Sequence, residues 1–190
     1  MRTSIVHVKK LALVTIFTAL GVVISPFSWF TFLETKANPT QHMVNSILGV
    51  LVGPLWAAIA SVLIGTIRIT LGVGTFFAFP GGVPGGIAVG VTYWILGRLR
   101  VNQKNRVISA LVEPIGTLAI GAPIALFLFA PWLGSQGLLD LVSQNGALLA
   151  LFSFGSIWAI SCIPGSIAGF AVLLVLTKVG VNRENLFGEK

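Results

Sequence analysis

The sequence predicts an all-α integral membrane protein with about six transmembrane helices. Of its 190 residues, 55% are hydrophobic and only 9% are charged, whereas a soluble domain carries about a quarter charged residues. The mean hydropathy is +0.96, and apolar stretches near the length of a membrane span recur along the chain. Since too little polar surface remains to cover a water-soluble globule, we expect a multi-pass membrane protein.

The chain divides into about six predicted helices within a single transmembrane domain that covers residues 1–190. Its start has features of a signal peptide. Because the uncharged run from Leu11 to Leu33 exceeds the roughly 7–15 residues of a signal core, we expect a retained helix. Gly53-Pro54 separates the second helix from the third, and Pro164 predicts a kink in the last. The predicted helices cover approximately residues 11–32, 41–52, 54–73, 84–99, 107–131 and 147–178.

The basic residues predict the orientation in the membrane. Most of the 12 Lys and Arg residues precede the first helix, separate the fourth from the fifth, or follow the sixth. An even number of spans puts these segments on one side, which the positive-inside rule makes cytoplasmic, so we expect both termini there. Because the basic residues flank apolar runs, the net charge of +7 does not indicate nucleic-acid binding. The residues are Arg2, Lys9, Lys10, Arg98, Arg100, Lys104, Arg106, Lys178, Arg183 and Lys190.

The segments at residues 32–41, 73–84 and 131–147 are then expected to face outward. Residues 75–84 are too apolar for an ordinary solvated loop, so we expect them to pack at the interface or to fold back as a lid. Small residues spaced by four along the predicted helices indicate close packing within the bundle, with Gly82, Gly86 and Gly90 as one such set.

Polar side chains inside the predicted membrane region are candidates for function, because a charge at a helix centre costs on the order of 3 kcal/mol. If the third helix enters from the cytoplasm, Arg68 lies roughly 21 Å along it, in the outer third of the membrane. Gln41, His42 and Asn45 share one face of the second helix at a similar depth. These four residues predict a pocket open to the exterior. The alternative for Arg68 is that it snorkels to the interface or pairs with Glu34.

Further candidates lie on the fifth and sixth helices. Glu113 is placed about 9 Å from the cytoplasmic end of a straight helix, so direct contact with Arg68 is not expected. Ligand contact, a bond to backbone freed by Pro114, and a coupling role remain open for Glu113. Trp158 and Ser161 fall near mid-depth, where they could form an aromatic and hydroxyl wall of the pocket or simply pack in the core.

Motifs for catalysis or nucleotide binding are absent from the sequence. It contains no GxSG nucleophile motif, no HExxH zinc motif and no GxxxxGK[ST] phosphate loop. Cys162 is the only cysteine, which excludes an intrachain disulfide and a CxxC metal site. We therefore expect a small-molecule transport component rather than an enzyme, with no cofactor and no metal. Any energy for uphill movement must come from a partner or an ion gradient.

A block of motifs in the first half of the chain resembles a known family. It comprises NPTQHMVN at 38–45, LVGP at 51–54, GTIR at 65–68, GVGT at 72–75 and AFPG at 78–81. In these motifs the chain resembles the substrate-binding (S) components of energy-coupling factor (ECF) vitamin transporters, most closely those of the ThiW type. The resemblance extends over most of the remaining chain only as a hydropathy pattern.

The resemblance implies a six-helix bundle in a prokaryotic cytoplasmic membrane that binds its ligand on the outer side. Its partners would be a transmembrane coupling protein and two cytoplasmic ATPases. ThiW-type proteins are associated with hydroxyethylthiazole, the thiazole precursor of thiamine. The alternatives are another vitamin or precursor, such as thiamine or hydroxymethylpyrimidine, or an autonomous carrier. Because hydroxyethylthiazole is neutral, Arg68 would organise the site, or else the ligand is anionic, such as a phosphorylated thiazole.

The resemblance also implies a contact surface on the first helix. Family members usually carry small residues at AxxxA spacing there, which touch the coupling protein. In this chain the nearest match is Thr15 and Ala19, with Ala12 on a nearby face. Threonine therefore replaces the first alanine of the pattern.

Overall fold

A computed structural model describes residues 2–188, with side chains from residue 5 onward. Met1, Glu189 and Lys190 lie outside the described residues, so the predicted position of Lys190 on the basic side is not tested. The described chain is helical apart from one short hairpin and the connections. The elements are α1 Arg2–Ser28, β1 Phe30–Phe32, β2 Thr35–Ala37, α2 Pro39–Val52, α3 Pro54–Thr70, α4 Ala78–Arg98, α5 Gln103–Leu133, α6 Gln136–Lys178 and α7 Arg183–Phe187.

The predicted all-α membrane fold class is confirmed. Within the described residues, four helices are long and apolar enough to cross a membrane, namely α1, α4, α5 and α6, and α3 is a shorter apolar helix. Large apolar side chains such as Phe27, Leu148 and Phe152 point outward from the bundle. Such a surface suits lipid rather than water. The number of spans stays a prediction.

Helix α2 is the centre of the bundle. It contacts α1, α3, α4, α5 and α6, and nearly all of its side chains are buried. Its 14 residues extend about 21 Å, which is less than the roughly 30 Å of a hydrocarbon core. Because neighbouring helices surround α2, its ends need not reach water. A polar residue on α2 therefore faces protein, whichever way it points.

Glycines let neighbouring helices of the bundle approach each other closely. On α4, a Cβ at Gly82 would overlap the side chain of Gln41, and one at Gly90 would lie 2.4 Å from the backbone nitrogen of Pro54. On α6, a Cβ at Gly165 would lie 2.3 Å from the carbonyl oxygen of Pro39. The glycine spacing thus reflects packing within the molecule, as the sequence indicated.

The two ends of the bundle differ in charge. At one end, here called the basic end, Lys9 donates to the carbonyl oxygen of Leu186 at 2.9 Å. The guanidinium groups of Arg106 and Arg183 lie 5.8 and 5.1 Å from the ring centre of Tyr93. The basic segments that the sequence places on one side therefore lie at the same end of the structure.

The opposite end, here called the hairpin end, carries the β1–β2 hairpin and the connection between α3 and α4. The strands pair antiparallel, with Phe30 opposite Ala37. Lys36 Nζ donates to the carbonyl oxygen of Gly72 at 2.5 Å and lies 4.6 Å from the ring centre of Trp29. These contacts fix the hairpin against the end of α3.

Helix α5 departs from regular α-helical geometry. Residues Val107–Val112 form a 3₁₀ helix, and Thr117–Gly121 and Ala125–Phe129 form π turns. Prolines at 114, 123 and 131 lack the backbone N–H that an α-helix requires, which accounts for part of this irregularity. The π turn at Thr117 lies directly beyond Glu113, in the region of the candidate site.

Several boundaries differ from those predicted. The first helix ends at Ser28, and the hairpin occupies most of the remainder of the predicted helix. Residues 78–84, expected to be a loop or lid, form the first turns of α4, and much of the expected outer segment 131–147 is helical. The break in α6 lies at Gly146, with φ 76° and ψ 161°, whereas Pro164 keeps a helical backbone. A positive φ of this size favours glycine.

Candidate functional site

A buried cavity lies near the hairpin end, between β2 and the helices α2, α3, α4 and α6. Its volume is about 20 Å³, which is space for about one water molecule. A heterocyclic ligand therefore fits only if lining side chains move. The lining residues are Thr35, Lys36, Ala37, Asn38, Gln41, His42, Arg68, Phe77, Ala78, Gly81, Trp158 and Ser161.

The first turn of α2 carries two of the lining residues, Gln41 and His42. Asn38 is the N-cap, and its side-chain oxygen accepts a hydrogen bond from the backbone N–H of Gln41 at 3.1 Å. Pro39 follows at the first helical position, where its missing N–H costs nothing. This cap fixes the first turn of α2, so that Gln41 and His42 both face inward.

Gln41 and Arg68 link the elements around the cavity. Gln41 Nε2 donates to Ser61 Oγ at 3.2 Å and to the carbonyl oxygen of Ala78 at 3.1 Å. Its Oε1 accepts from Arg68 Nη1 at 2.5 Å. Arg68 Nη2 donates to the carbonyl oxygens of Lys36 at 3.3 Å and Val73 at 3.1 Å. One guanidinium therefore holds β2, α2 and the end of α3 together.

Arg68 is buried without a counter-charge. It is 1% exposed, and its Nε has no hydrogen-bond partner among the described residues. Glu34, its suggested partner, instead accepts from the backbone N–H of Gly137 at 3.1 Å. Neither snorkelling nor pairing with Glu34 therefore describes Arg68. A buried cation whose partners are neutral oxygens leaves the cavity electropositive on this side.

His42 connects the cavity to a buried acid. Its Nδ1 lies 2.7 Å from Glu113 Oε1, and its side chain is 9% exposed. No protein partner is present for Nε2 among the described residues. Because Glu113 does not line the cavity and the two ring nitrogens point in roughly opposite directions, Nε2 faces the cavity. His42 therefore offers a free ring nitrogen to a ligand.

Neutral donors surround the carboxyl group of Glu113, which is fully buried. Thr117 Oγ1 lies 3.0 Å and Asn45 Nδ2 lies 3.4 Å from Glu113 Oε1. Asn45 Nδ2 also donates to the carbonyl oxygen of Gly82 at 2.9 Å. Glu113 Oε2 has no partner among the described residues. Glu113 and Asn45 thus form a layer behind His42 rather than part of the cavity wall.

Helix α6 supplies an aromatic surface and a hydroxyl group. The Trp158 ring centre lies 4.7 Å from that of Phe154. A Cβ at Gly81 would lie 3.3 Å from the Trp158 ring, so glycine leaves room for the indole. Ser161 is fully buried, and its Oγ has no partner among the described residues. The cavity therefore has an apolar face with an unpaired hydroxyl beside it.

The structure brings together most of the residues singled out from the sequence. Gln41, His42, Arg68, Trp158 and Ser161 line one cavity, whereas Asn45 and Glu113 lie behind it. The suggested contact residues Ala12, Thr15 and Ala19 are exposed on α1, away from the cavity. Whether a ligand binds among the lining residues stays a prediction.

Other lining residues were not anticipated. Lys36 and its neighbours reach the cavity through the unpredicted strand β2, and Phe77 reaches it because α4 begins earlier than expected. One signal was available for Asn38. The sequence Asn38-Pro39 before an apolar run is typical of a helix start, which places the cap beside the residues of the first turn.

Comparison with known proteins identifies a family. A family model described as thiamine-precursor transporter protein (ThiW) matches residues 11–179, which include every residue of the cavity. No curated protein and no solved structure matches the chain.

Proposed function

Because the chain belongs to the ThiW family of thiamine-precursor transporters, we propose that it is the substrate-binding subunit of an ECF importer for hydroxyethylthiazole. Family membership and the long apolar helices make it a multi-pass protein of the cytoplasmic membrane that serves transport. Membership of a transporter family also agrees with the expectation that the chain is not an enzyme. The ligand, the binding residues and the partners are the proposed part.

The observation that carries the proposal is the cavity between α2, α3, α4 and α6. A small flat heterocycle needs an aromatic or apolar wall and a few hydrogen-bonding groups. Trp158 and Phe77 supply the wall, Ser161 supplies a hydroxyl without a partner among the described residues, and His42 supplies Nε2. A ligand that makes hydrogen bonds to these atoms gains more binding free energy than a ligand that only fills the space, because unpaired buried polar atoms are costly.

Arg68 has an organising role in this proposal. Its guanidinium bonds to three protein oxygens that belong to different elements around the cavity. A neutral ligand does not need a charge partner, so these bonds account for a buried arginine. An anionic ligand, such as a phosphorylated thiazole, would instead place its charge against the unpaired Nε.

The proposed transport cycle needs partners, since the chain has no phosphate loop of its own. We place the coupling protein against the exposed small residues of α1, namely Ala12, Thr15 and Ala19. Two cytoplasmic ATPases would supply the energy. The positive-inside rule puts the basic end in the cytoplasm and the cavity toward the exterior, with about six spans in total.

The experiment that tests the proposed ligand is calorimetric titration of the detergent-purified chain with hydroxyethylthiazole, thiamine and hydroxymethylpyrimidine. We expect only the thiazole to bind tightly. Trp158→Ala should weaken its binding by at least about tenfold, because the aromatic wall is lost. Trp132→Ala is the matched control, since Trp132 is 69% exposed and lies outside the cavity.

The titration separates the alternatives. Tight binding of thiamine or of the pyrimidine in place of the thiazole would assign a different precursor to the same cavity. An equal loss of thiazole binding in both tryptophan variants would contradict the cavity as the site. No binding of any of the three would contradict the thiazole assignment.

A further inference from the structure

We propose that the ring nitrogen of the thiazole accepts a hydrogen bond from His42 Nε2, and that Glu113 is the positioning residue that holds His42 for this contact. The inference rests on the proposed function and goes beyond it by assigning one ligand atom to one protein atom. It follows from the His42–Glu113 contact at 2.7 Å and from the position of Nε2 at the cavity.

The first step is the orientation of the imidazole. Glu113 is fully buried behind the cavity wall and holds Nδ1, which prevents the ring from flipping without loss of that bond. Gly165 packs against the base of the side chain, where a Cβ would lie 2.8 Å from His42 Cβ. The contact with Glu113 therefore sets the ring orientation, and Trp158 and Ser161 line the same cavity as His42.

The second step is the hydrogen on Nε2. Glu113 Oε1 also contacts the neutral groups of Asn45 and Thr117. The proposed contact needs a hydrogen on Nε2, and the ring carries one there both as the imidazolium and as the neutral imidazole whose Nδ1 accepts a hydrogen bond from Glu113.

The third step is the class of ligand atom that this hydrogen selects. A donor that points into a cavity lined mostly by buried residues needs an acceptor, because an unpaired buried donor is costly. The unsaturated nitrogen of a thiazole is an acceptor without a hydrogen. A ligand with a C–H at that place leaves Nε2–H unpaired. His42 therefore selects for an azole nitrogen, whereas the apolar wall selects only for a flat ring.

The test is a comparison of two ligands on three forms of the intact chain. The ligands are hydroxyethylthiazole and its thiophene analogue, in which a C–H replaces the ring nitrogen. The forms are the unmodified chain, His42→Ala and Glu113→Ala. Calorimetric titration gives the ratio of the two affinities for each form. Since the thiophene does not use the hydrogen bond, its binding also reports whether a variant is folded.

We expect the preference for the thiazole to fall by about tenfold in His42→Ala, which corresponds to the loss of one buried hydrogen bond. A fall of several-fold is expected in Glu113→Ala, because His42 loses the group that orients it. Trp132→Ala should leave the ratio unchanged. A ratio unchanged in either variant overturns the role given to the residue replaced, while the proposed ligand stands. Failure of the unmodified chain to bind the thiazole overturns the proposed ligand and this inference with it.

Discussion

Arg68 and Glu113 are ionisable residues in the interior of an apolar bundle, and their hydrogen-bond partners differ. Arg68 bonds to neutral oxygens of three elements, whereas Glu113 bonds to one histidine and two neutral donors. The sequence alone identified both residues, because intramembrane charge is rare and costly. It could not assign the partners Gln41 and Lys36 to Arg68 or His42 to Glu113, since these lie 27, 32 and 71 residues away along the chain.

The distance of Glu113 from the start of its helix differs from the estimate made from the sequence. A straight helix from residue 107 places Glu113 about 9 Å from the cytoplasmic end. In the structure, α5 begins at Gln103, and Val107–Val112 is a 3₁₀ helix with a longer rise per residue. Glu113 therefore lies about 18 Å along the helix, where it contacts His42 of α2. The earlier start of α5 accounts for about 6 Å of the difference and the 3₁₀ segment for about 3 Å, so the helix boundary matters more than the local helix type.

Replacement of Arg68 by alanine should destabilise the protein. Arg68→Ala leaves Gln41 Oε1 and the carbonyl oxygens of Lys36 and Val73 without this donor, although it also removes a buried charge. We expect a net loss of about 2 kcal/mol in the free energy of unfolding, or a fall of roughly 4–8 °C in Tm. Thermal unfolding in detergent measures the change.

The control for this substitution lies on the same helix. Thr70 is exposed and bonds only to the carbonyl oxygen of Ile67, so Thr70→Ala should stay within about 0.5 kcal/mol of the unmodified chain. If Arg68→Ala proved as stable as Thr70→Ala, the organising role of Arg68 would be wrong. The guanidinium would then be left for direct contact with the ligand.

At the scale of elements, the helices with long apolar runs were predictable, and the irregular segments between them were not. Hydropathy finds segments that suit lipid, so it identified α1, α4, α5 and α6 as helical. It missed the helical residues 136–145, because Asp140, Ser143 and Gln144 interrupt the apolar run without preventing a helix. The three-residue strands β1 and β2 are too short to show an alternating pattern.

The close contact between α3 and α4 depends on Gly90. A Cβ at this position would lie 2.4 Å from the backbone nitrogen of Pro54, and a backbone atom cannot move aside as a side-chain tip can. We expect Gly90→Ala to cost about 1–3 kcal/mol in the free energy of unfolding, because the two helices must separate. Thermal unfolding in the same detergent measures the loss.

Gly155 is the matched control on α6, since a Cβ there would meet nothing within 4 Å. Gly155→Ala should be neutral or should stabilise the helix by up to about 1 kcal/mol. Equal stability of the two alanine variants would show that the packing around Gly90 is looser than described.

At the scale of the whole molecule, the cavity and the basic residues lie at opposite ends of the bundle. The cavity lies near the hairpin end, and the basic residues gather at the opposite end with α7. The exposed small residues of α1 lie on the outer surface, where a membrane partner could pack. This arrangement leads to the central claim of the proposal: the chain supplies specificity, and separate proteins supply the energy.

Uptake of labelled hydroxyethylthiazole into proteoliposomes loaded with ATP tests this claim most directly. Vesicles that contain the chain alone are compared with vesicles that also contain the coupling protein and the two ATPases, and ADP-loaded vesicles serve as the control. We predict accumulation only with all partners and ATP, and only binding with the chain alone. Accumulation above the external concentration by the chain alone would contradict the claim and indicate an autonomous carrier driven by an ion gradient.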